Sequence, residues 1–288
     1  MASETKAPAP DRNLRAPKLK LPPGATDCHF HIYGPQKRFP LAQSRGHQME
    51  DSTLQDLLAL QKALGLSRGV VTQSFQNGYM YEFMLHALTS EPERLRGVTS
   101  PAPDITDGEL DILAKAGVVG MRFARRSTPE LDLRTLQRGL ERGWHPQYFL
   151  TNADDIAAWG DQILAQPGRF VLDNLGNPPP AKGVNSEEFR FVRRCLDTGR
   201  CWVKLTARFS QQENFPFDDI LPFVHHVVER YPDRILWGSD WPHPGYSKPM
   251  PNDADLVDLV SIWVPDEARR RKLFVDNPAE LFGFPAFR

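Results

Sequence analysis

The feature that most constrains this chain is an alternation repeated eight times: a short run of β-branched and apolar residues, then a longer stretch of helical periodicity. The runs are "ATDCHFHI", "SRGVVTQS", "RLRGVTSP", "GVVGMRFA", "HPQYFLTN", "RFVLDNLG", "CWVKLTA" and "RILWGSD". Between them lie "DSTLQDLLALQKALG", "DGELDILAKAG", "LRTLQRGLERG", "ADDIAAWGDQILAQ", "NSEEFRFVRRCLDTG" and "DDILPFVHHVVERYP", several of them ended by the glycine that helix C-termini favour. A last helical stretch, "DEARRRKLFVDNPAELFG", closes the sequence. Near-continuous apolar strands separated by helices mean parallel strands buried on both faces. Eight such units match a (β/α)8 TIM barrel. A doubly wound open sheet is the rival, but it normally carries a Gly-rich phosphate turn after its first strand, where "HFHIYGP" stands here. The expected fold is therefore α/β, a single barrel over residues 25–288.

Residues 1–24, rich in Pro, Lys and Ala, offer little to bury and read as a flexible arm, free to wrap a neighbouring subunit in a homo-oligomer. Lys and Arg number 35 against 36 Asp and Glu, a net charge of -1, which leaves no electrostatic footprint for nucleic acid. Cys28, Cys195 and Cys201 suit neither a disulfide framework nor a zinc ribbon and read as reduced thiols, with Cys28 and Cys201 as core fillers. The opening residues lack the apolar core of a signal peptide, and no run is long enough to span a membrane. A cytoplasmic protein is expected.

In a barrel of this kind chemistry collects at the C-terminal ends of the strands. Those ends carry His29 and His31, Ser74, Arg122, Tyr148, Asp173 and Asn174, Lys204 to Arg208, and Asp240. Residues i and i+2 of a strand share a face, so His29 and His31 project together while Cys28 and Phe30 point the other way. Two polar strand positions satisfied by hydrogen bonds would explain the pair; so would a metal site or a pair that polarises a substrate carbonyl. Barrel closure brings Asp240 beside them, as a general base whose pKa burial against Trp241 would raise, or else as a turn-capping aspartate. His243 either holds substrate or caps its loop, and His86, His145, His225 and His226 read as structural. Arg122, Arg125, Arg126 and Arg208 supply planar forks for carboxylates, so the expected partner is a small carboxylate-bearing substrate. Arg122, inside a strand, is the strongest of them; "RFARRS" alone would be a solvated charge run.

Together the "DCHFH", "GMRF", "WVKL" and "GSDWPHP" segments resemble the amidohydrolase superfamily, in the branch of 2-pyrone-4,6-dicarboxylate lactonase and the related sugar-lactone and sulfomuconolactone hydrolases. The resemblance runs from about residue 25 onward. It implies that His29 and His31 polarise a lactone carbonyl, that Asp240 activates water, and that Arg122, Arg208, Tyr148 and Ser74 bind substrate. It also implies a reaction without a metal, although most of the superfamily uses one or two. Two departures stand out. The family's strand 6 "DH" is "DN" here, with Asn174 able to donate to an oxyanion but a poor ligand for a transition metal, and His47 stands where relatives place a substrate-contacting Tyr. The expected activity is metal-independent hydrolysis of a carboxylated lactone. The alternatives are a decarboxylase with one divalent metal such as Zn at His29, His31 and Asp240, and an inactive barrel that serves as a binding protein.

Overall fold

The computed structural model describes residues 8–42, 49–127, 129–285 and 287. Eight parallel strands follow one another around a single sheet in the order of the sequence: β1 (Thr26–Phe30), β2 (Arg68–Thr72), β3 (Leu95–Thr99), β4 (Val118–Ala124), β5 (His145–Phe149), β6 (Phe170–Leu172), β7 (Cys201–Leu205) and β8 (Ile235–Trp237). Around them lie α1 (Leu54–Leu64), α2 (Glu82–Ser90), α3 (Asp107–Ala116), α4 (Leu133–Glu141), α5 (Ala153–Ala165), α6 (Glu187–Asp197), α7 (Leu221–Arg230) and α8 (Asp253–Trp263). This is the (β/α)8 barrel that the alternation predicts. The signals that start and stop α1 are local: Thr53 and Asp56 form a capping box, and Gly65 at φ 80° ends the helix. The last helical stretch is interrupted, giving α9 (Glu267–Arg271), a π turn over Lys272–Asp276, and α10 (Asn277–Phe282). Pro278 lies in the first turn of α10, where its missing N–H is tolerated.

The strands β1 and β8 share no backbone ladder; loop and side-chain hydrogen bonds close the barrel instead. The Asp27 carboxylate accepts from Ser239 N (3.1 Å), Ser239 Oγ (2.6 Å) and His29 N (3.0 Å). Asp240 N donates to His29 O (2.9 Å), and His31 N to Trp241 O (2.7 Å). Gly238 makes this approach feasible, because a Cβ there would stand 2.6 Å from the Cβ of His29. Register slips between Asp27 and Phe30. The strict alternation expected for this strand is corrected accordingly: Phe30 packs in the outer core, whereas Cys28 joins Val70, Val98, Trp202 and Leu236 in an apolar plug at the barrel floor. All three cysteines are free and buried.

Residues 8–24 have no regular secondary structure and run along the outside of the barrel, where Leu19 N donates to Asp258 (2.8 Å) and Asn252 donates to Asp11 (2.8 Å). Among the described residues no helix is long and apolar enough to cross a membrane.

Candidate active site

Above the apolar plug lies a layer of buried charge. Lys204, on β7 and fully buried, places Nζ 3.0 Å from His29 Nδ1, 2.5 Å from Gln147 Oε1 and 3.0 Å from Asp173 Oδ1. Asp173 also accepts from Arg122 Nε at 2.7 Å. Burial works against the Asp173 carboxylate, but the Lys204 and Arg122 charges outweigh it and hold the pKa well below the usual range. Burial, reinforced by the Lys204 charge, lowers His29 to about 3, so its ring is neutral.

The next layer reaches the floor of the cavity, which His31 and Asp240 line with His29 buried beside them. His29 and His31 meet edge to face, with ring centroids 5.0 Å apart, so the two rings do stand side by side. His31 Nδ1 is 2.7 Å from the carbonyl oxygen of Thr72. Asp240 lies three residues beyond β8 at φ 64°, a left-handed conformation that costs a non-glycine residue energy and recurs at functional sites. Its Oδ1 is 3.5 Å from His29 Nε2 and 3.4 Å from His31 Nε2, and its Oδ2 is 3.5 Å from Arg208 Nη1. The expectation of a raised Asp240 pKa is overturned. Burial does push it up, but the fixed positive charge of Arg208 opposes it and the balance falls below the ordinary carboxylate range. One ligand atom each from His29, His31 and Asp240 lie within 4.8 Å of one another, close enough to share a cation.

The cavity above has a volume of about 250 Å³, and its lining includes His31, Ser74, Arg122, Arg126, Asn174 and Arg208. Asn174 sits at φ 49°, and its Oδ1 accepts from Thr206 Oγ1 at 2.8 Å, which leaves the amide N–H groups to donate. Arg122 and Arg126 both lie over Phe149, their guanidinium carbons 4.8 and 5.1 Å from the centre of that ring. Burial, then the neighbouring Arg122 and Arg208 charges, lower Arg126 to about 10.

Three expected site residues fall elsewhere. Tyr148 faces the helical layer and donates to Gln166, because β5 turns Gln147 and Phe149, not Tyr148, toward the barrel axis. His243 is buried with Nε2 3.3 Å from Asp253 Oδ1, toward the start of α8. Arg125 points to Asp155, 3.6 Å away. His47 lies outside the described residues. Phe149 and Gln147 were missed; the polar Gln147 amid apolar neighbours was the available sign of which parity of β5 faces inward.

A barrel that gathers two histidines of the first strand and an aspartate after the eighth at its C-terminal mouth has the arrangement of the amidohydrolases, and the chain belongs to that family: the family model described as Amidohydrolase matches residues 26–284. The chain is 37% identical over 276 residues to a 4-sulfomuconolactone hydrolase of Rhizobium radiobacter, covering 91% of each. It is 36% identical over 286 residues to a 2-pyrone-4,6-dicarboxylate hydrolase of Comamonas testosteroni, covering 94% of this chain and 93% of the relative. A solved structure from Acinetobacter baumannii with citric acid bound shares the fold, with a TM-score of 0.80 at 21% identity over 91% of this chain and 100% of that one.

Proposed function

We propose that this protein hydrolyses a lactone bearing carboxylates, of the 2-pyrone-4,6-dicarboxylate kind, without a metal. The observation that carries the reading is the Asp240 carboxylate, held 3.4–3.5 Å from both His Nε2 atoms under a cavity walled by Arg122, Arg126 and Arg208. Three guanidinium groups in one cavity match a substrate with more than one carboxylate. The two relatives named above act on lactones. Support for a metal-free reaction comes from the donor set: the fourth place is an Asn whose oxygen is already engaged by Thr206.

In this reading a water beside Asp240 gives its proton to the carboxylate as its oxygen bonds to the lactone carbonyl carbon. The carbonyl π electrons move onto oxygen, where an N–H of His29 and the amide of Asn174 meet the developing charge. Collapse of the tetrahedral intermediate breaks the ring C–O bond, and the leaving oxygen takes the proton back from Asp240. A carboxylate with a depressed pKa is a weak base in the free protein. A substrate carboxylate seated on Arg208 offsets the cation that depresses it, so base strength rises as substrate binds.

The test is to follow loss of pyrone absorbance when chelator-treated protein is mixed with 2-pyrone-4,6-dicarboxylate. Turnover that falls by about 10²–10⁴ in a folded Asp240→Asn variant supports the proposal. No turnover by folded protein, with activity appearing only after a divalent metal is added, would replace it with metal-dependent chemistry.

A further inference from the structure

Lys204 is a fully buried cation that lies beneath the cavity and does not line it. An ammonium has N–H donors and no lone pair. Its 3.0 Å contact with His29 Nδ1 is therefore a bond in which the imidazole accepts, and the single proton of the neutral ring sits on Nε2, facing Asp240. Burial lowers the Lys204 pKa, and the carboxylate of Asp173, 3.0 Å from Nζ, opposes that shift and favours the ammonium. The amide of Gln147 is oriented to match, because its nitrogen contacts His145 Nε2 at 3.0 Å and its oxygen is left for Lys204 at 2.5 Å. Asp173 Oδ1 also lies 3.4 Å from His29 Nδ1, but that longer contact is the weaker competitor for the ring nitrogen.

His31 is held in the opposite sense. The carbonyl oxygen of Thr72 only accepts, so at 2.7 Å it holds a proton on His31 Nδ1, and burial, which lowers the His31 pKa, favours the neutral ring with its lone pair on Nε2. Side by side, one ring offers Asp240 a proton and the other offers a lone pair. Two acceptors that face each other, His31 Nε2 and Asp240 Oδ1 at 3.4 Å, call for a donor above them, a role that the nucleophilic water would fill.

We propose that Lys204 is a positioning residue that locks His29 in the Nε2–H tautomer, so that the two histidines divide the work: His29 donates to the oxyanion, while His31 and Asp240 accept from the nucleophilic water. This rests on the lactonase reading and assigns a separate job to each ring. It also bears on the metal question. A cation would need the lone pair of His29 Nε2, and that requires moving the proton to Nδ1, against the ammonium. The residues present therefore do not fit a His29–His31–Asp240 metal site while Lys204 is charged.

The experiment is a two-bond 1H–15N correlation spectrum of full-length protein labelled at histidine, without substrate or metal, with the His29 and His31 rings assigned by loss of their signals in His29→Gln and His31→Gln. The expected result is His29 protonated at Nε2 and His31 at Nδ1. A His29 protonated at Nδ1 overturns the proposal. In Lys204→Met the Nδ1–H form of His29, donating to Asp173, should become populated, kcat should fall at least about tenfold with KM little changed, and Zn²⁺ should bind at least about tenfold tighter by calorimetry. A folded Lys204→Met that keeps the Nε2–H tautomer also overturns it. If that variant does not fold, the wild-type spectrum alone decides. The tautomers are read without substrate, so failure to open the lactone would refute the function and leave this inference standing.

Discussion

The closure of the barrel at Gly238 offers a sharp test, because one methyl group there should cost both stability and activity. A Cβ on residue 238 would sit 2.6 Å from His29 Cβ, 3.3 Å from His29 N and 3.4 Å from His29 Cα. Unstrained carbon contacts begin near 3.5 Å, so β1 and the end of β8 must separate by about 1 Å. No flexible side-chain tip can move aside, since the atoms met are the backbone and first side-chain carbon of His29. The same movement stretches the bond from Asp240 N to His29 O, now 2.9 Å, beyond hydrogen-bonding range, and strains the bonds from Ser239 to Asp27. Overpacking of about 1–3 kcal/mol and about 1 kcal/mol for each lost hydrogen bond give Gly238→Ala a stability loss of roughly 2–4 kcal/mol. The displacement also moves His29 relative to Asp240, and an error of about 1 Å in a reacting constellation costs on the order of 10² in rate. Urea denaturation followed by circular dichroism reads the first effect, and kcat/KM for pyrone hydrolysis reads the second. An alanine variant with the wild-type midpoint and kcat/KM within about twofold of wild type would refute both the closure described and the claim that it places the catalytic groups.

Tyr148→Phe should leave kcat/KM within about twofold of wild type and lower stability by about 1 kcal/mol, since the hydroxyl it removes bonds Gln166 in the outer layer and does not reach the cavity; a large rise in KM would return Tyr148 to the substrate site. The buried histidines should also withdraw stability on acidification. Burial holds His29 and His145 near 3, below the ordinary 6.5, so between those values the unfolded chain binds protons that the native one does not. That contribution is complete above pH 6.5 and is lost as pH falls toward 3, amounting to about 2 kcal/mol per histidine at pH 5. Burial raises Asp27 to about 7, which acts in the opposite direction, so urea midpoints from pH 8 to pH 4.5 are compared between wild type and His145→Gln; a difference that does not change with pH would contradict a neutral buried His145.

Each of the eight strands was legible because parallel barrel strands are buried on both faces and so appear as apolar runs bounded by turn residues. Helices α2 and α8 were not singled out. The first begins at Tyr81 without a side-chain cap, and the second buries seven of its eleven residues, which erases the polar stripe that marks an amphipathic helix. The site was legible where the strand-end rule applies directly: His29, His31, Ser74, Arg122, Asn174, Arg208 and Asp240 do converge around one cavity floor and wall. It failed where parity decides. In "HPQYF" the choice between Tyr148 and Phe149 depends on which residues alternate inward, and a one-residue slip in register reverses the answer.

The sign of the Asp240 pKa shift was beyond the sequence for a different reason. Burial alone, inferred from Trp241, predicts an upward shift; the actual balance depends on Arg208, which lies about 32 positions away and is brought close only by the fold. Lys204 shows the same limit. Within "CWVKL" a lysine in a fully buried strand looks like an exception to the apolar pattern, and the exception is explained only when β5, β6 and β1 supply Gln147, Asp173 and His29 around one nitrogen. A buried charge is retained at a cost that an apolar residue would avoid. In this barrel the compensation for that cost is divided among three partners, one of which is a ring facing Asp240, so the layer beneath the cavity sets what the layer above can donate.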